Sequence, residues 1–437
     1  MAVNPLRARP PLPNLSRLES LGLRGMKLGL AAIDAVCERL GRPQTRVPSV
    51  LLAGTNGKGS TAAMLHAIAC AAGLGAGLYT SPHLESATER IRVGPDDIGF
   101  EALDAELADV FAAADRAPAV PLTYFEAMTA AAFTAFARAG LDLAVLEVGL
   151  GGRLDATNVA PAILSVVTSI SIDHVEDLGG TLESIAFEKA GVFRSGRPAL
   201  VATRQPVALA VFDAAAARSG ARLHRLADEV EIAAGPAALS GTRLVLTTPA
   251  GRYALETPLA GSHQAENAAA AVRAAELLEP EFRIGPAAMA QGVASVRWPG
   301  RLERFHARGR TVLVDGCHNA DGAAALARFV SEAGLAPDLV FGAMADKDVE
   351  SMGAALGPVV RRIRCVPAAS PRAASPEELL RRFAAGRPDA RTAPGLAAAL
   401  EELLADPACE TIIVAGSLYL VGEARALLLS GPFAPRS

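Results

Sequence analysis

The segment LLAGTNGKGST, residues 51–61, most constrains how this chain can fold. A short apolar run is followed by a glycine-rich turn that carries Lys58, and an alanine-rich helical pattern begins at Ser60 and Thr61. Glycines allow backbone N–H groups and the N-terminus of the next helix to face an anion, and the lysine adds a positive charge. The segment therefore predicts a strand, a phosphate-binding turn and a helix.

The spacing within this turn differs from that of the common phosphate-binding loop. Two residues separate Gly54 from Gly57, where the common motif has four, and Gly59 stands between the lysine and Ser60. A plain strand-turn-helix connection is the alternative interpretation. The lysine and the serine nevertheless stand where a phosphate and a magnesium ion would need them, which favours a nucleotide site.

Length and composition indicate a multidomain globular protein that acts on small molecules. The chain has 437 residues, of which 51% are hydrophobic and 20% charged, enough for two or three domains with their own cores. A formal net charge of -4 gives no electrostatic argument for a nucleic acid or an anionic membrane as partner. The five cysteines lack the spacing of zinc or disulfide sites, and no apolar run reaches about 18 residues. We expect a cytoplasmic monomer that binds neither a nucleic acid nor a membrane.

Three predicted strands of the first half have polar residues at or just after their carboxyl ends. They are 76–79 with Ser81 and His83, 141–148 with Glu147, and 162–170 with Asp173 and His174. Because ligands of open parallel sheets bind outside the carboxyl ends of the strands, these residues could face a nucleotide. Glu147 and His174 are candidate metal ligands, since a buried carboxylate is costly unless it is paired and a neutral imidazole binds divalent cations. A proline-containing turn at 81–83, a structural ion pair of Glu147 and a structural histidine are the alternatives.

The other patterns of the first half are mostly structural. Residues 18–40 have apolar side chains at helical spacing and predict one amphipathic helix. Thr123 and Glu126 have the spacing of a capping box, which would explain both residues, whereas the neighbouring Phe125 could line a pocket or simply pack. The alternation over 229–259 predicts a β-meander, and a helix is expected from residue 261.

The alternation of strands and helices starts again after Trp298-Pro299-Gly300, which we interpret as a domain junction. Strands are predicted at 311–314, 339–342, 363–366 and 411–415. The first delivers Asp315 and His318 to its end, and the last is followed by Ser417. This pattern predicts a second doubly wound α/β unit, so the chain is divided into 1–297 and 298–437.

Several segments together resemble one family, the Mur-type ATP-dependent amide ligases, and within it the folylpolyglutamate synthase/dihydrofolate synthase family. In chain order the matching segments are GTNGKGST, TSPHL, TYFEAMT, EVGLGGRLDATN, SIDH, EKAG, HQAENA, WPGRLE, DGCHN and GSLYLVGE. The resemblance implies an α/β fold in which a P-loop-type, mostly parallel sheet domain precedes a smaller Rossmann-like glutamate-ligase domain, with the active site between them. Its number of motifs and their order make it specific.

The resemblance also implies the reaction. ATP would phosphorylate the carboxylate of dihydropteroate or of a reduced folate, and the amino group of L-glutamate would attack the acyl phosphate and release phosphate. Two alternatives stay open: a Mur-type ligase that acts on a cell-wall nucleotide precursor or a peptide acceptor, and a nucleotide-dependent switch without ligase turnover.

Matching motifs imply roles for single residues. The implied ATP contacts are Gly54, Thr55, Asn56, Gly57, Lys58, Gly59, Ser60, Asn267, Arg301 and Asp315. The implied ligands of magnesium, with two ions expected, are Ser81, Glu147, His174 and Lys189, the last of which the family carbamylates. The implied substrate contacts are Thr123, Phe125 and Asp155 for dihydropteroate and His318 and Ser417 for glutamate. The implied catalytic residues are Lys58, Glu147, His174, Arg301 and His318.

Two segments depart from the family's usual form. Cys317 and Ala320 stand where alanine and proline are usual, although Asp315 and His318 are retained. Residues 86–99 keep the run Glu89-Arg90-Ile91-Arg92 but are unusual on either side of it.

Overall fold

The computed structural model describes residues 12–22, 28–279 and 281–434. The chain divides into two compact units. The first extends to Glu229 and includes 270–292, and the second contains 230–269 and the chain from Val293 onward. Residues 230–269 thus group with the C-terminal part of the chain, whereas the sequence-based division placed them in the first domain. The domain boundaries themselves stay a prediction.

The first unit is built on one mostly parallel sheet. Its strands are β1 (Ser49–Ala53), β2 (Ala76–Tyr79), β3 (Ile91–Val93), β4 (Asp96–Asp97), β5 (Leu143–Glu147), β6 (Leu164–Val167), β7 (Pro198–Val201) and β8 (Arg222–Arg225). Their spatial order is β4-β3-β2-β5-β1-β6-β7-β8, and β3 and β4 are the antiparallel ones. Strands β1, β2, β5, β6 and β7 are buried over their full length, as their continuous apolar runs predict.

Eleven helices are described between residues 12 and 295. They are α1 (Pro13–Leu21), α2 (Ala31–Arg39), α3 (Lys58–Ala71), α4 (Phe100–Asp115), α5 (Tyr124–Ala139), α6 (Val175–Leu178), α7 (Leu182–Ala190), α8 (Pro206–Ser219), α9 (Leu226–Glu229), α10 (Ser262–Leu277) and α11 (Pro286–Ser295). None of the helices in the described part of the chain is both long and apolar enough to cross a membrane.

The single helix predicted over 18–40 is wrong. Helix α1 ends at Leu21 and α2 begins at Ala31, and Gly29 has a φ of 145°, a left-handed value that a helix does not contain. Residues 23–27 lie outside the described part. Each short helix buries its own apolar residues, so two amphipathic helices produce the periodicity that suggested one.

The second unit contains two sheets. Its strands are β9 (Glu231–Ala234), β10 (Thr242–Thr248), β11 (Gly251–Thr257), β12 (Glu303–Ala307), β13 (Arg310–Asp315), β14 (Asp338–Phe341), β15 (Ile363–Cys365), β16 (Ala390–Thr392) and β17 (Thr411–Ala415). Strands β9 to β11 form the predicted antiparallel meander. The larger sheet has the order β12-β13-β17-β14-β15-β16 and is parallel except for β12.

Five helices cover the larger sheet of the second unit. They are α12 (Ala320–Glu332), α13 (Val349–Leu356), α14 (Pro376–Arg382), α15 (Leu396–Ala405) and α16 (Leu418–Leu429). In this sheet β17, the last strand of the chain, lies between β13 and β14, so that Ala415 pairs with both Asp315 and Phe341. The predicted strand end at Asp315 is therefore placed at a crevice of a doubly wound sheet.

Candidate active site

The glycine-rich turn follows β1, the strand at which the strand order of the first sheet reverses. From β1 the chain crosses to β2, returns to β5 beside β1, and then continues with β6 on the other side of β1. Leu52 pairs with Glu147, and Ala53 pairs with Val167. The carboxyl ends of β1, β5 and β6 therefore lie at one edge, where α/β sheets bind ligands.

The turn has the backbone geometry of an anion-binding loop. Gly54 and Gly57 have φ values of 146° and 85°, and Gly57 is the N-cap of α3 without a side chain to cap it. A Cβ on Gly54 would lie 1.9 Å from Oγ1 of Thr168, so glycine is required there. The first-turn N–H groups of this 14-residue helix have no side-chain cap and can donate to an anion.

The loop after β6 fixes the turn in position. The N–H of Thr55 donates to the carbonyl of Ser169 at 2.7 Å, and the N–H of Asn56 donates to Oγ of Ser169 at 3.1 Å. Oγ1 of Thr168 donates to the carbonyl of Asn56 at 2.7 Å. The predicted ATP contacts Thr55 and Asn56 therefore hold the turn through their backbone.

Two lysines converge on the carbonyl oxygen of Gly54. Nζ of Lys58 donates to it at 3.0 Å and to the carbonyl of Thr55 at 3.1 Å, and Nζ of Lys189, at the end of α7, donates to it at 2.8 Å. Lys189 is 5% exposed. Burial first, and then the neighbouring Lys58 ammonium, lower the pKa of Lys189 to about 7. The sequence pattern of residues 181–190 by itself indicates only a helix with a charged end.

Glu147 and Ser81, two predicted metal ligands, are in contact. The Glu147 carboxylate is buried at the end of β5, and its Oε2 accepts a hydrogen bond from the N–H of Ser81 at 3.1 Å. Magnesium is usually bound by one or two carboxylates together with substrate phosphates and waters. A buried carboxylate and a serine hydroxyl beside an anion-binding turn fit that requirement.

His174, the third predicted ligand, is exposed. It precedes α6 with a φ of 51°, and its N–H donates to Oδ1 of Asp173 at 2.8 Å. Across residues 12–22, 28–279 and 281–434, no group of three or more His, Cys, Asp or Glu residues could hold a metal.

The residues predicted for the dihydropteroate pocket surround the start of α5. Thr123 and Glu126 form the predicted capping box, with the N–H of Thr123 donating to Oε2 of Glu126 at 2.8 Å. The ring of Phe125 lies 5.9 Å from that of Tyr79. It also covers Gly149, where an added Cβ would lie 2.6 Å from the ring. Glycine at this position is what allows the aromatic ring to approach the loop.

Asp155 holds that glycine-rich loop in shape. Its carboxylate is 4% exposed and accepts from the N–H of Leu150 at 2.9 Å, and from the N–H and Oγ1 of Thr157 at 3.0 and 2.6 Å. Burial raises the pKa of Asp155, and these hydrogen bonds oppose the shift. The structure thus shows a positioning role for this residue within the loop.

A second cluster of predicted residues lies within the second unit. The Asp315 carboxylate is buried and accepts from the N–H groups of Leu302 and Cys317, both at 2.9 Å. The guanidinium of Arg301 covers Gly316, where a Cβ would lie 2.3 Å from its Nη1. Nδ1 of His318 lies 2.9 Å from the Gly316 carbonyl. The structure thus brings Arg301, Asp315 and His318 together.

The other two predicted residues of this unit lie at the start of α16 and in the second turn of α10. Ser417 is the N-cap of α16 and accepts from the N–H of Leu420 at 3.1 Å. Nδ2 of Asn267, in α10, donates to Oε1 of Gln264 at 3.0 Å. Nearby, the Asp315 and Arg301 charges act on His263, whose pKa is lowered by burial. Sequence reasoning assigned no role to His263 or Gly316; the short helix start GSHQ was the available signal for the histidine.

Two family models match the chain. The Mur ligase middle domain matches residues 52–275, and the Mur ligase glutamate ligase domain matches residues 300–418. A dihydrofolate synthase/folylpolyglutamate synthase of Escherichia coli is 36% identical, with 96% of each chain covered. That of Bacillus subtilis is 36% identical over 81% of this chain and 84% of its own length. The chain belongs to the Mur ligase family.

Not every relative has the same length as this Mur ligase. A protein of Haloferax volcanii named "Probable bifunctional folylpolyglutamate synthase/dihydropteroate synthase" is 37% identical over 92% of this chain, which spans 48% of that relative.

Solved structures of Mur ligase relatives share the fold. E. coli FolC in complex with DHPP and ADP has a TM-score of 0.86 at 34% identity, with 96% of this chain and 98% of that chain covered. Mycobacterium tuberculosis folylpolyglutamate synthase complexed with ADP has a TM-score of 0.88 at 35% identity, covering 97% and 99%. The bifunctional enzyme of Yersinia pestis was solved with AMPPNP and a Mn ion, at a TM-score of 0.84, 31% identity and coverage of 96% and 98%. The predicted α/β class, a mostly parallel sheet followed by a smaller sheet-and-helix domain, is confirmed.

Proposed function

We propose that this Mur ligase joins the amino group of L-glutamate to the carboxylate of dihydropteroate and of reduced folates, with ATP converted to ADP and phosphate. The observation that carries the proposal is the anion-binding turn with two lysines on one carbonyl, beside the buried carboxylate of Glu147. The relatives reported above are folate ligases, and one was solved with both ADP and DHPP. This favours a folate acceptor over the cell-wall precursor and over a switch without turnover.

In the first step a carboxylate becomes a good electrophile. An oxygen of the acceptor carboxylate attacks the γ-phosphorus of ATP, and the bond between this phosphorus and the β,γ-bridging oxygen breaks. ADP departs, and the acceptor becomes an acyl phosphate. The first-turn N–H groups of α3 and the ammonium of Lys58 can stabilise the charge that spreads over the phosphoryl group. Bound magnesium would supply further positive charge, with Glu147, Ser81 and His174 as the proposed ligands.

In the second step the neutral amino group of glutamate attacks the acyl carbon. The carbon–oxygen bond to phosphate breaks, phosphate leaves, and the nitrogen loses a proton to give the amide. No nucleophilic side chain of the protein is required for this sequence, so the residues act by binding, orienting and neutralising charge. For the second unit we assign ATP contacts to Asn267, Arg301 and Asp315, and glutamate contacts to His318 and Ser417.

Lys189 is proposed to carry a carbamate. Only the neutral amine adds to CO₂, and a pKa of about 7 makes that form abundant near neutral pH. The two ammonium groups on the Gly54 carbonyl repel each other, and carbamylation of one of them would replace this repulsion with attraction. The carbamate oxygens would also be suitable ligands for a second magnesium ion.

The acceptor is tested by measuring ADP release from the purified protein with ATP, magnesium and L-glutamate. We expect release to depend on added dihydropteroate or tetrahydrofolate and not on a nucleotide-linked cell-wall precursor. Equal release without any acceptor would contradict the proposal, and stimulation by the cell-wall precursor alone would favour the alternative ligase.

The cellular setting follows from the same chemistry. All five cysteines are free thiols, which suits a reducing compartment, and we place the enzyme in the cytoplasm. We propose that it works as a monomer; sedimentation velocity of the purified protein tests this.

A further inference from the structure

The segment that joins β2 to β3 contains Arg90, an arginine that forms an ion pair with none of the described carboxylates. Nε of Arg90 donates to Nδ1 of His83 at 2.9 Å, and its guanidinium lies 4.9 Å from the ring centroid of Tyr124. Among the residues that the structure describes, no carboxylate lies within ion-pair distance of Arg90. An uncompensated, half-buried positive charge is costly and is typical of a site for an anion.

The acidic neighbour of Arg90 is committed elsewhere. The carboxylate of Glu89 accepts from the N–H groups of Leu84 at 2.8 Å, Glu85 at 2.9 Å and Ser86 at 2.6 Å. Arg92, two residues further along the chain, differs from Arg90 because it is paired with Asp97 at 2.8 Å. Glu89 therefore orders the segment through backbone hydrogen bonds, and the charge of Arg90 is available to bind an anion.

His83 and Tyr124 hold the guanidinium in one orientation. Nδ1 of His83 lies 2.9 Å from Nε of Arg90 and accepts its hydrogen bond, which fixes one side of the guanidinium. Stacking on Tyr124 fixes the plane of the group. Both Nη groups then form a flat fork, the geometry that binds a carboxylate through two parallel hydrogen bonds.

The position of Arg90 relates this fork to the proposed acceptor. Tyr124 directly precedes Phe125 at the start of α5, and His83 follows Ser81, whose N–H contacts Glu147. Arg90 thus contacts Tyr124, beside the proposed dihydropteroate pocket, and His83, beside the sheet edge at which the acceptor carboxylate is proposed to react. Both acceptors present a reacting carboxylate, but only a reduced folate also carries an α-carboxylate, which the α-carbon and two methylene groups separate from the γ-carboxylate that reacts.

We propose that Arg90 binds the α-carboxylate of the glutamyl group of folate acceptors and thereby distinguishes them from dihydropteroate. This inference rests on the proposed ligase function. It names a specificity-determining residue in the segment where the sequence departs from the family's usual form.

The test combines a variant of Arg90 with a change in the ligand. Dissociation constants of tetrahydrofolate and of its α-carboxamide are measured by titration calorimetry for the wild type, Arg90→Met and the control Arg92→Met. We expect Arg90→Met to raise the dissociation constant of tetrahydrofolate by about 10- to 100-fold, as for loss of a charge-assisted hydrogen-bonded pair. The preference for the carboxylate over the carboxamide should disappear in this variant and persist in Arg92→Met, which isolates the pair as in a double-mutant cycle.

Steady-state kinetics give the second readout. The KM for tetrahydrofolate should rise in Arg90→Met with the KM for dihydropteroate within about twofold of the wild type, and Arg90→Lys, which keeps the charge but loses the fork, should lie between. Circular dichroism and thermal unfolding verify that the variants are folded.

Each other outcome is informative. Equal weakening of the carboxylate and the carboxamide, equal losses with both acceptors, or no change would overturn the inference. So would a wild type that uses dihydropteroate but not tetrahydrofolate, although the ligase function would stand. A wild type that uses neither acceptor would instead contradict the proposed function.

Discussion

Lys58 and Lys189, which are far apart in the sequence, donate hydrogen bonds to the same backbone carbonyl oxygen, that of Gly54. Two ammonium groups at one acceptor repel each other, and burial adds to the cost of charging Lys189. The arrangement is therefore best suited to a state in which an anion lies on the turn and Lys189 is neutral or carries a negative group. Both conditions agree with the proposed binding of ATP and the proposed carbamylation of Lys189.

Replacement of Lys58 by alanine should abolish turnover with the fold retained. The ammonium is proposed to neutralise the transferring phosphoryl group, and loss of one such contact lowers kcat by about 100-fold or more. ADP release at saturating ATP measures the rate, and circular dichroism verifies the fold. A rate equal to that of the wild type would show that the nucleotide binds elsewhere.

Carbamylation of Lys189 should depend on pH in the direction set by its amine. The folded-state pKa of about 7 lies below the ordinary value of 10.5, so the reactive neutral form becomes abundant as pH rises through 7. With ¹³C-bicarbonate, a carbamate signal in the NMR spectrum should be stronger at pH 8 than at pH 6. It should be absent in Lys189→Arg and retained in Lys347→Arg, and a signal that persists in Lys189→Arg would assign the carbamate to another amine.

The same pKa difference predicts how stability varies with pH. Between about pH 7 and pH 10 the unfolded chain binds a proton at Lys189 that the folded chain does not, so this residue makes the free energy of unfolding rise with pH. Below pH 7 both states are protonated and the desolvation penalty is present in full. Lys189→Met should therefore stabilise the protein most at pH 6, in urea titrations under CO₂-free buffer, and its advantage over the wild type should shrink toward pH 10.

Local patterns were readable from the sequence, and contacts between distant segments were not. The capping box of Thr123 and Glu126 is confirmed because both residues lie on one helical turn. The buried strands are confirmed because short, continuous apolar runs are typical of strands that helices cover on both faces. The burial of Lys189 was missed because it arises where α7 packs beside the turn after β1. Only the fold shows that the carboxylate of Asp155 is occupied by its own loop.

Gly73, which follows α3, offers a comparison for the effect of a Cβ at Gly54 in the turn. Both have positive φ, 146° at Gly54 and 83° at Gly73, but a Cβ on Gly73 meets nothing within 4 Å, whereas one on Gly54 would collide with Thr168. Gly73→Ala should cost about 1 kcal/mol of unfolding free energy, the strain of the left-handed conformation alone. Gly54→Ala should cost more, and it should also weaken ADP binding in calorimetry; equal effects of the two variants would contradict the required close approach.

Glu147→Gln separates metal binding from structure. The amide keeps an oxygen that can accept from the N–H of Ser81 but loses the charge proposed to bind magnesium. We expect weaker binding of ADP in the presence of magnesium and unchanged binding in EDTA. Glu126→Gln is the control, since that carboxylate is also buried and its hydrogen bonds cap α5; it should lower the thermal stability with no change in the effect of magnesium. The prediction fails if both variants respond alike.

Arg301→Ala should reduce kcat more than it reduces the affinity for ATP. The guanidinium is oriented by the Gly300 carbonyl at 3.0 Å and by packing over Gly316, so its charge is held in place before any ligand binds. A preorganised charge contributes most where negative charge develops during phosphoryl transfer, and less to binding of the ground state. Single-turnover rates and ATP dissociation constants, with the exposed Arg304→Ala as control, separate the two effects. A loss confined to ATP affinity would make Arg301 a binding residue only, because the charge would then act equally on ATP before and during the transfer.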